Sequence, residues 1–296
     1  MSVVDHEEYT EFGPWILDVP DATRVPRLFQ SYGIDFEAAE IVMKIPRDIA
    51  RRDANPSMDL YDTLLILGAS ELTLLERNDG AFSSRSVSVG SVLSMTKSID
   101  LLEGRFHIVV DDGEPVRVRF NGSSQDAIDR LMRAIRRLSA SGHGKASSVV
   151  AQSLPLKKSD DLGHLNDADF GLVSKWGSVL TIEPGLEFFE AHPSRIVEPL
   201  TGALSKLLHR FRPMVLSGAI VGVSPDEIHI IHRRDWLYRS TKEDVSSAHT
   251  VILRRAGVDF SSAAHPFYAG VHTVGVESGA ARFAFEVATS AVARNV

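Results

Sequence analysis

The residues best suited to ligand binding cluster between positions 232 and 242. Aromatic rings stand among cationic side chains there, an arrangement that can hold an anion, a peptide carboxylate or a membrane surface. Asp235 and Asp244 lie among them, so a solvated turn with ordinary surface ion pairs is the alternative. The predicted ligand-binding residues are His232, Arg233, Arg234, Trp236, Tyr238, Arg239 and Lys242. A second basic group, with Asp48 and Asp53 beside it, is Lys44, Arg47, Arg51 and Arg52.

Two short motifs resemble known reactive sites without completing them. Ser94-Met95-Thr96-Lys97 fits the Ser-x-x-Lys pattern of serine acylases, whose chemistry needs the two side chains one helical turn apart. The segment looks like a strand, so we predict a solvated strand face instead. Gly142-His143-Gly144-Lys145 lacks the first glycine of a phosphate loop, and Ala146 replaces its Ser or Thr. We predict a linker there.

The histidines do not suggest a metal site. His229 and His232 are three residues apart on a predicted strand, where alternation sends them to opposite faces. The other histidines considered have no companion at ligand spacing, and each is expected to be hydrogen-bonded or at the surface: His209, His249, His265 and His272. We therefore predict no metal.

Composition excludes several classes of protein. The chain has no cysteine, which rules out thiolate nucleophiles, iron–sulfur clusters and cysteine-ligated zinc. A formal net charge of −7 argues against a dedicated nucleic-acid binder, because such proteins usually carry a basic excess. No paired carboxylates, nucleophile elbow or dinucleotide fingerprint stands out, so we expect neither an enzyme nor a cofactor. The amino terminus lacks a secretory signal pattern, and we expect a cytoplasmic protein.

The elements that must position these residues are clearest between Leu65 and Leu138. Thr63–Ala69 and Glu71–Arg77 predict a hairpin, and Asn78-Asp79-Gly80 predicts a turn. Further strands are predicted at Arg85–Val92, Val92–Leu102, Arg105–Val110 and Val116–Phe120. A helix then follows from Ser123 or Ser124, with one apolar face formed by Ile128, Leu131, Met132, Ile135 and Leu138.

The opening of this stretch recurs in the second half of the chain. Ile220–Ser224 matches Ile66–Ser70, and Glu227–Arg233 matches Glu71–Arg77 after an insertion of Pro225-Asp226. Such a match predicts an internal repeat, although a chance likeness between two hairpins is the alternative.

In pattern, the Leu65–Leu138 stretch resembles the bacterial pleckstrin-homology-like (PH-like) domains. The resemblance rests on the GASELTLLER hairpin, the SVSVGSV segment, the GRFHIVVDDGEPVRVRF hairpin and the SQDAIDRLMRAIRRL helix. It implies a bent two-sheet barrel plugged by the helix, and a role in binding proteins, peptides or lipid headgroups rather than in catalysis. Gly68-Ala69-Ser70 carries no Lys or Arg at the position of the basic loop in phosphoinositide-binding members, which argues against that ligand.

We therefore expect an α+β, mainly β fold with two PH-like bent antiparallel barrels or sandwiches, the first capped by its C-terminal helix. The second half is predicted to begin with extended segments at Val173–Ile182 and Glu187–Phe189 and to place a helix, Pro199–Phe211, before its sheet. The predicted divisions are an N-terminal extension packing on the first module (1–58), a first PH-like domain (59–140), a linker (141–172) and a divergent second PH-like domain (173–296).

Three functions follow from these expectations. The first is a non-enzymatic adaptor that docks a protein or peptide at the open edge of a bent sheet or between modules. The second is a peripheral membrane or anionic-ligand binder that uses the 232–242 cluster. The third, less favoured, is an enzyme with an active site between the modules.

Overall fold

The computed structural model describes residues 3–111, 113–142, 154–159, 162–163, 165, 167–200, 211–239, 246–253 and 257–293. Two compact units are present. The first comprises Met1–Val92, Leu102–Phe106 and Val118–Gly144, and the second comprises Leu93–Leu101, His107–Arg117 and Lys145–Val296. The fold is α+β with strands predominating, and its antiparallel sheets do not close.

The first unit is built on a five-stranded sheet in the order β1-β2-β3-β4-β5. Helix α1 (Val3–Glu11) precedes it, and two short 3-10 helices (Ala22–Arg24 and Arg27–Tyr32) follow the first strand. The strands are β1 (Leu17–Asp18), β2 (Ala39–Pro46), β3 (Tyr61–Gly68), β4 (Glu71–Asn78) and β5 (Ala81–Ser88). One core of this unit joins the end of α1, the second 3-10 helix and the sheet. It contains Tyr9, Phe12, Phe29, Tyr61, Leu64 and Leu75.

The hairpins predicted from the sequence in this region are confirmed. β3 and β4 pair directly, with Leu67 opposite Leu72 across the tight connection. Asp79 (φ 44°) and Gly80 (φ 81°) both adopt the left-handed conformation that a two-residue hairpin turn requires, so β4 returns into β5 without a break in pairing.

The predicted helix at the end of the first unit is also confirmed, as α2 (Gln125–Gly142). Its predicted apolar face is buried at Ile128, Leu131, Met132 and Ile135. On the polar side, the guanidinium groups of Arg130 and Arg137 contact Asp18 and Glu40, which lie on β1 and at the start of β2. The helix therefore packs beside these two strands.

The second unit contains most of a seven-stranded sheet in the order β8-β7-β6-β15-β13-β12-β9. These strands are β6 (Val92–Asp100), β7 (Glu103–Val110), β8 (Val116–Asn121), β9 (Glu187–His192), β12 (Ala219–Val223), β13 (Glu227–His232) and β15 (Ser247–Leu253). A four-stranded sheet has the order β14-β11-β10-β17, with β10 (Arg195–Pro199), β11 (Met214–Leu216), β14 (Leu237–Arg239) and β17 (Tyr268–Ala269). A three-stranded sheet has the order β16-β18-β19, with β16 (Asp259–Ala264), β18 (Val271–Ser278) and β19 (Ala281–Ala288).

One predicted element of the second half is wrong. Residues 173–182, predicted to be extended, belong to helix α3 (Phe170–Ile182). Leu172, Trp176 and Val179 recur at helical spacing and bury one face against Ala191, Ile220 and Ile231 of the sheet. The β-branched residues of the segment favour a strand locally, but tertiary burial of this face overrides that preference.

Other expectations for the second half have mixed outcomes. Residues 187–189 are extended as predicted, within β9. The predicted Pro199–Phe211 helix falls mainly on residues 201–210, outside the described part of the chain. Leu154 and Leu156, in the predicted linker, are buried in a core of the second unit. Both segments matched in the repeat are hairpins, β3–β4 and β12–β13. The tandem architecture and the domain boundaries stay predictions.

Candidate functional site

The predicted ligand-binding residues lie on the connection from β13 to β14 and on β14 itself. His232 ends β13, Trp236 lies in the connection, and Tyr238 and Arg239 belong to β14. Lys242 lies outside the described residues. The described members of the set are close together in the fold, and the contacts of each side chain decide what it can offer a ligand.

His232 is a core histidine. Its side chain is 3% exposed and stacks on Trp236, with ring centroids 3.9 Å apart and an interplanar angle of 12°. Nδ1 lies 2.5 Å from the carbonyl oxygen of Arg233, and Nε2 lies 2.9 Å from Thr250 Oγ1, which is 2.8 Å from Thr96 Oγ1. These partners assign the proton to Nδ1, and Nε2 accepts from Thr250. Burial lowers the pKa of His232 to about 3, so the ring is neutral at physiological pH.

Arg233 and Arg234 hold the start of β15. Arg233 Nη1 donates to the carbonyl oxygen of Ser246 at 2.8 Å, and the backbone N–H of Arg234 donates to Ser246 Oγ at 2.8 Å. Arg234 Nη1 also lies 3.7 Å from Asp100 Oδ2 on β6. The two guanidinium groups thus make intramolecular contacts, and a ligand would have to compete with them.

The remaining members of the predicted set divide between core and surface. Trp236 is partly buried, with its ring centroid 5.8 Å from that of Phe285. Tyr238 pairs with Val215 of β11 and is partly exposed. Arg239 is exposed, and its Nη1 donates to the carbonyl oxygen of Arg212 at 3.3 Å. Ligand binding by the 232–242 cluster stays a prediction, and these contacts favour a structural function for most of its described members.

A second group of polar side chains was not predicted. On one face of β13 and β15, Glu227 Oε2 lies 3.0 Å from His229 Nε2, and His229 Nδ1 lies 3.1 Å from His249 Nε2. The carboxylate accepts the Nε2–H of His229, which leaves Nδ1 to accept from His249. The arrangement is a carboxylate–imidazole–imidazole chain that can relay a proton. Its three groups follow one another in a hydrogen-bonded chain, and the described residues contain no cluster of His, Asp or Glu side chains placed to hold a metal ion.

His249 is hydrogen-bonded, as expected, but its partner His229 does not lie at a ligand spacing in the sequence. The separation of His229 from His232 on opposite faces of the strand is confirmed. His249 and His229 are twenty residues apart and meet only because β13 pairs with β15 in a register that sets Ile231 opposite His249. Each histidine sits on a strand whose alternation is visible in the sequence, but the register between two distant strands is not.

The Ser94–Lys97 segment carries no reactive constellation. Ser94 and Lys97 are both buried on β6, and their spacing of three on a strand puts the side chains on opposite faces. The predicted strand is confirmed, and a serine–lysine pair is excluded by that geometry. The prediction that this strand face is solvated is wrong, because Ser94 and Lys97 are both buried on a strand that lies inside the seven-stranded sheet. Gly142 ends α2, and the other residues of the GHGK segment lie outside the described chain.

A small cleft in the first unit brings acidic and basic side chains together beside α1. Lys44 Nζ donates to Glu11 Oε2 at 3.1 Å and to the carbonyl oxygen of Arg24 at 3.3 Å, and lies 4.8 Å from the centroid of the Tyr61 ring. Glu8 Oε2 accepts the backbone N–H of Arg27 at 3.0 Å. Burial raises the pKa of Glu8 and lowers that of Lys44. These contacts fasten α1 to the sheet.

The rest of the second basic group is likewise engaged within the first unit. Arg47 Nη1 donates to the carbonyl oxygen of Asp59 at 3.1 Å, Arg51 contacts the carbonyl oxygen of Phe12, and Arg52 lies 3.8 Å from the carboxylate of Asp53. The alternative of ordinary turn contacts and ion pairs fits these residues.

An open strand edge is the other candidate site in the first unit. β5 is the last strand of the five-stranded sheet and pairs with β4 at all eight of its residues, from Ala81 opposite Asn78 to Ser88 opposite Glu71. Most of its side chains are exposed, including Ser83, Ser84 and Ser86. Near its start, the Phe82 ring lies 5.6 Å from Phe29 and 6.4 Å from Tyr32, and Tyr32 is 37% exposed.

Comparisons of the chain with protein-family models, with curated proteins and with solved structures give no match. Among the described helices, none has the length and apolarity needed to cross a lipid bilayer.

Proposed function

We propose that this protein is a non-enzymatic binding protein that docks an extended segment of a partner protein along β5. The observation that carries the proposal is the eight-residue edge formed by that strand, which is paired without a bulge on one side and is exposed. Strand addition to such an edge is a recurring mode of peptide recognition.

The backbone of β5 supplies the affinity in this proposal. In an antiparallel pair, alternate residues direct both the N–H and the C=O toward the neighbouring strand, and the residues between them direct both groups outward. Every second residue of β5 therefore presents an outward donor and acceptor on the side away from β4. An extended peptide can satisfy these groups in the way a sixth strand would.

The side chains of β5 leave this edge accessible. Sheet edges are usually protected by charged side chains, proline or a bulge. β5 has no proline and no bulge, and Arg85 is its one charged residue. Its serines are small enough for another strand to approach. At the Ala81 end, Phe82 and the exposed part of Tyr32 provide an apolar surface. We therefore expect the bound segment to carry one large apolar side chain at that end.

The order of elements from β3 to α2 supports a PH-like module as the carrier of this function, with β3, β4, β5 and α2 in the first unit and nearly all of β6 in the second. Consecutive antiparallel strands are followed by α2, the order that the resemblance implies. The proposal for the whole chain is a bacterial, cytoplasmic adaptor with two such modules, in which the first contributes the docking edge.

Two adjacent proline substitutions test the docking edge. Because neighbouring residues of β5 direct their N–H groups in opposite directions, one of Ser83→Pro and Ser84→Pro removes an outward N–H and the other breaks the pairing with β4. Thermal unfolding of each full-length variant distinguishes them, since only loss of the β4 pairing lowers Tm by several degrees.

Binding is then measured with peptides selected from a displayed random library on the wild-type chain. We expect the selected peptides to be extended, with alternating apolar and polar residues. They should bind the proline variant with unchanged Tm at least about tenfold more weakly than the wild type, because that variant lacks an outward N–H and its proline ring keeps the peptide strand from the edge. The proposal is overturned if no peptide is selected or if that variant binds the peptides as well as the wild type does. It is also overturned if the wild type dimerises in sedimentation analysis and that variant does not, because the edge would then pair with a second copy of the chain.

A further inference from the structure

Large apolar side chains are exposed together at one end of the four-stranded sheet. Leu200 (49% exposed) donates its backbone N–H to the carbonyl oxygen of Phe267 (66% exposed) at 3.0 Å. The last pair between β10 and β11 is Val197 opposite Met214. Leu200 and Phe211 (75% exposed) each lie three residues beyond this pair along the chain, and so both lie past the same end of the paired strands. Ile196 (62% exposed) lies on β10, on the face opposite to the buried Val197. These four residues, Ile196, Leu200, Phe211 and Phe267, are called the apolar patch.

Phe267 of the apolar patch lies in a turn whose backbone is held by His265. His265 Nδ1 accepts the backbone N–H of Phe267 at 3.1 Å and that of Tyr268 at 3.2 Å, which fixes the turn before β17. The imidazole also lies edge-on to the Phe267 ring, with centroids 5.9 Å apart. The phenyl group is therefore presented to solvent with little conformational freedom to lose on binding.

Cationic side chains stand beside the patch. Arg212 follows Phe211 directly and is exposed. The guanidinium of Arg239, on β14, donates to the carbonyl oxygen of Arg212 at 3.3 Å, so its positive charge lies at the backbone that follows Phe211. Glu198 lies between Ile196 and Leu200, and strand alternation places its carboxylate on the same exposed face as these two side chains. Two arginines and one glutamate thus give this part of the surface a small positive charge, although the chain as a whole has a net charge of −7. A locally positive surface favours an anionic partner.

We propose that the apolar patch inserts into the interfacial region of a membrane that contains anionic lipids. Side chains that are half to three-quarters exposed project into solvent, whereas the residues that line a peptide groove are mostly buried. A fluid lipid surface can adapt to such projecting groups. Aromatic and aliphatic side chains enter the headgroup–acyl boundary, and the adjacent arginines contact anionic headgroups.

This inference does not depend on strand addition at β5, because the patch and β5 belong to different compact units. It also differs from the predicted membrane surface at 232–242, with which it shares only Arg239. Each proposal can therefore fail without the other.

Co-sedimentation of the full chain with vesicles tests the insertion. The vesicles contain phosphatidylcholine alone or phosphatidylcholine mixed with phosphatidylserine, at low and moderate salt. We expect the wild type to sediment with the anionic vesicles. The affinity of the double variant Phe211→Ser/Phe267→Ser for these vesicles should be lower by about tenfold or more, because two phenyl groups are no longer transferred from water into the membrane. The matched control is Phe170→Ser, which removes an equally exposed phenyl group (73%) at the start of α3 and should bind like the wild type.

Two further variants separate insertion from simple charge attraction. Phe267→Trp should keep binding and gain a fluorescence signal that brominated lipids quench, relative to the wild type with its three native tryptophans. Arg212→Gln/Arg239→Gln should reduce the preference for anionic vesicles, whereas Arg52→Gln, an exposed arginine in the first unit, should not.

The proposal is overturned if the wild type does not sediment with anionic vesicles even at low salt. It is also overturned if the double phenylalanine variant binds like the wild type, or if the added tryptophan is not quenched. Concentration-dependent self-association that is lost in the double variant would instead assign the patch to a second copy of the chain. Thermal unfolding should be unchanged in the patch variants, because the substituted side chains are exposed.

Discussion

Two ionisable side chains in the core of the second unit, Glu190 and His232, destabilise the folded state at opposite ends of the pH range. Glu190, on β9, is 4% exposed, and its Oε2 has no hydrogen-bond partner among the described residues. Burial raises the pKa of Glu190 to about 8 and lowers that of His232 to about 3. Both groups are thus held in their neutral forms near neutral pH, and each penalises the folded state when it must ionise.

For Glu190, the sign follows from the raised pKa. The unfolded carboxyl ionises near pH 4.5 and the folded one near pH 8, so folding takes up a proton between these values and stability falls as pH rises. We predict that Glu190→Gln leaves the free energy of unfolding nearly unchanged at pH 5 and raises it at pH 9, relative to wild type, by on the order of 3–5 kcal/mol. Denaturant titrations at the two pH values measure the difference.

The matched control is Glu187→Gln on the same strand, at an exposed position, which should change stability by less than about 0.5 kcal/mol at either pH. An equal effect of Glu190→Gln at pH 5 and pH 9 would contradict the assignment of a neutral buried carboxyl.

Among the elements, α3 packs closely on its sheet because the strand beneath it has a glycine at the point of contact. Gly222 on β12 lies beneath Trp176 of α3, and a Cβ added there would meet the indole ring at 2.4 Å. The glycine lets the indole lie directly on the strand backbone, where it joins the core formed with Leu186 and Ile220. The same helix carries Gly177 on its exposed side, with no neighbour near the position of a Cβ.

These two glycines provide a paired prediction. Gly222→Ala should destabilise the protein by about 1–3 kcal/mol, because the indole must move from a packed site. Gly177→Ala should stabilise it by about 0.5–1 kcal/mol, because alanine has the higher helix propensity and nothing obstructs it. Chemical denaturation of both variants gives the comparison. If Gly222→Ala were as harmless as Gly177→Ala, α3 would not be seated on β12 as described.

At the element scale, sequence patterns succeeded where the determinants were local. The turn at Asp79-Gly80 and the apolar face of α2 follow from residues within one hairpin and one helix, and both are confirmed. The prediction of an extended segment failed at α3, where the β-branched residues Val173, Val179 and Ile182 favour a strand on local propensity alone. The helix is stabilised by burial of Trp176 and its neighbours, a tertiary contribution that exceeds local propensity.

For the whole molecule, the buried groups predict a stability profile that declines on both sides of a mildly acidic optimum. His232 penalises folding as pH falls below its unfolded pKa of 6.5 toward 3, and burial lowers the pKa of His107 in the same way. Glu190 penalises folding as pH rises above 4.5, and burial raises the pKa values of Glu8 and Glu286 in the same way. The opposing slopes balance between about pH 4.5 and 6.5.

We therefore predict the highest Tm of the full chain between about pH 4.5 and 6.5, with a fall of several degrees by pH 8–9. Thermal unfolding monitored by circular dichroism across this range tests the profile, and Glu190→Gln should flatten its alkaline side. A Tm that rises steadily from pH 6 to pH 9 would show that these buried carboxyls do not control the profile.

The sequence by itself determined the mainly β, α+β character of the chain, the hairpins of the first unit and the amphipathic helix α2, because alternation, turn residues and helical spacing are local properties. It also placed the residues of the 232–242 cluster together, since they are neighbours in the chain. Only the tertiary structure decided what they do: it stacks His232 on Trp236 and pairs the two arginines with the segment around Ser246. Strand register brought His229 to His249, and the topology left the edge of β5 and the apolar patch exposed. These features depend on contacts between residues far apart in sequence, which no local pattern specifies.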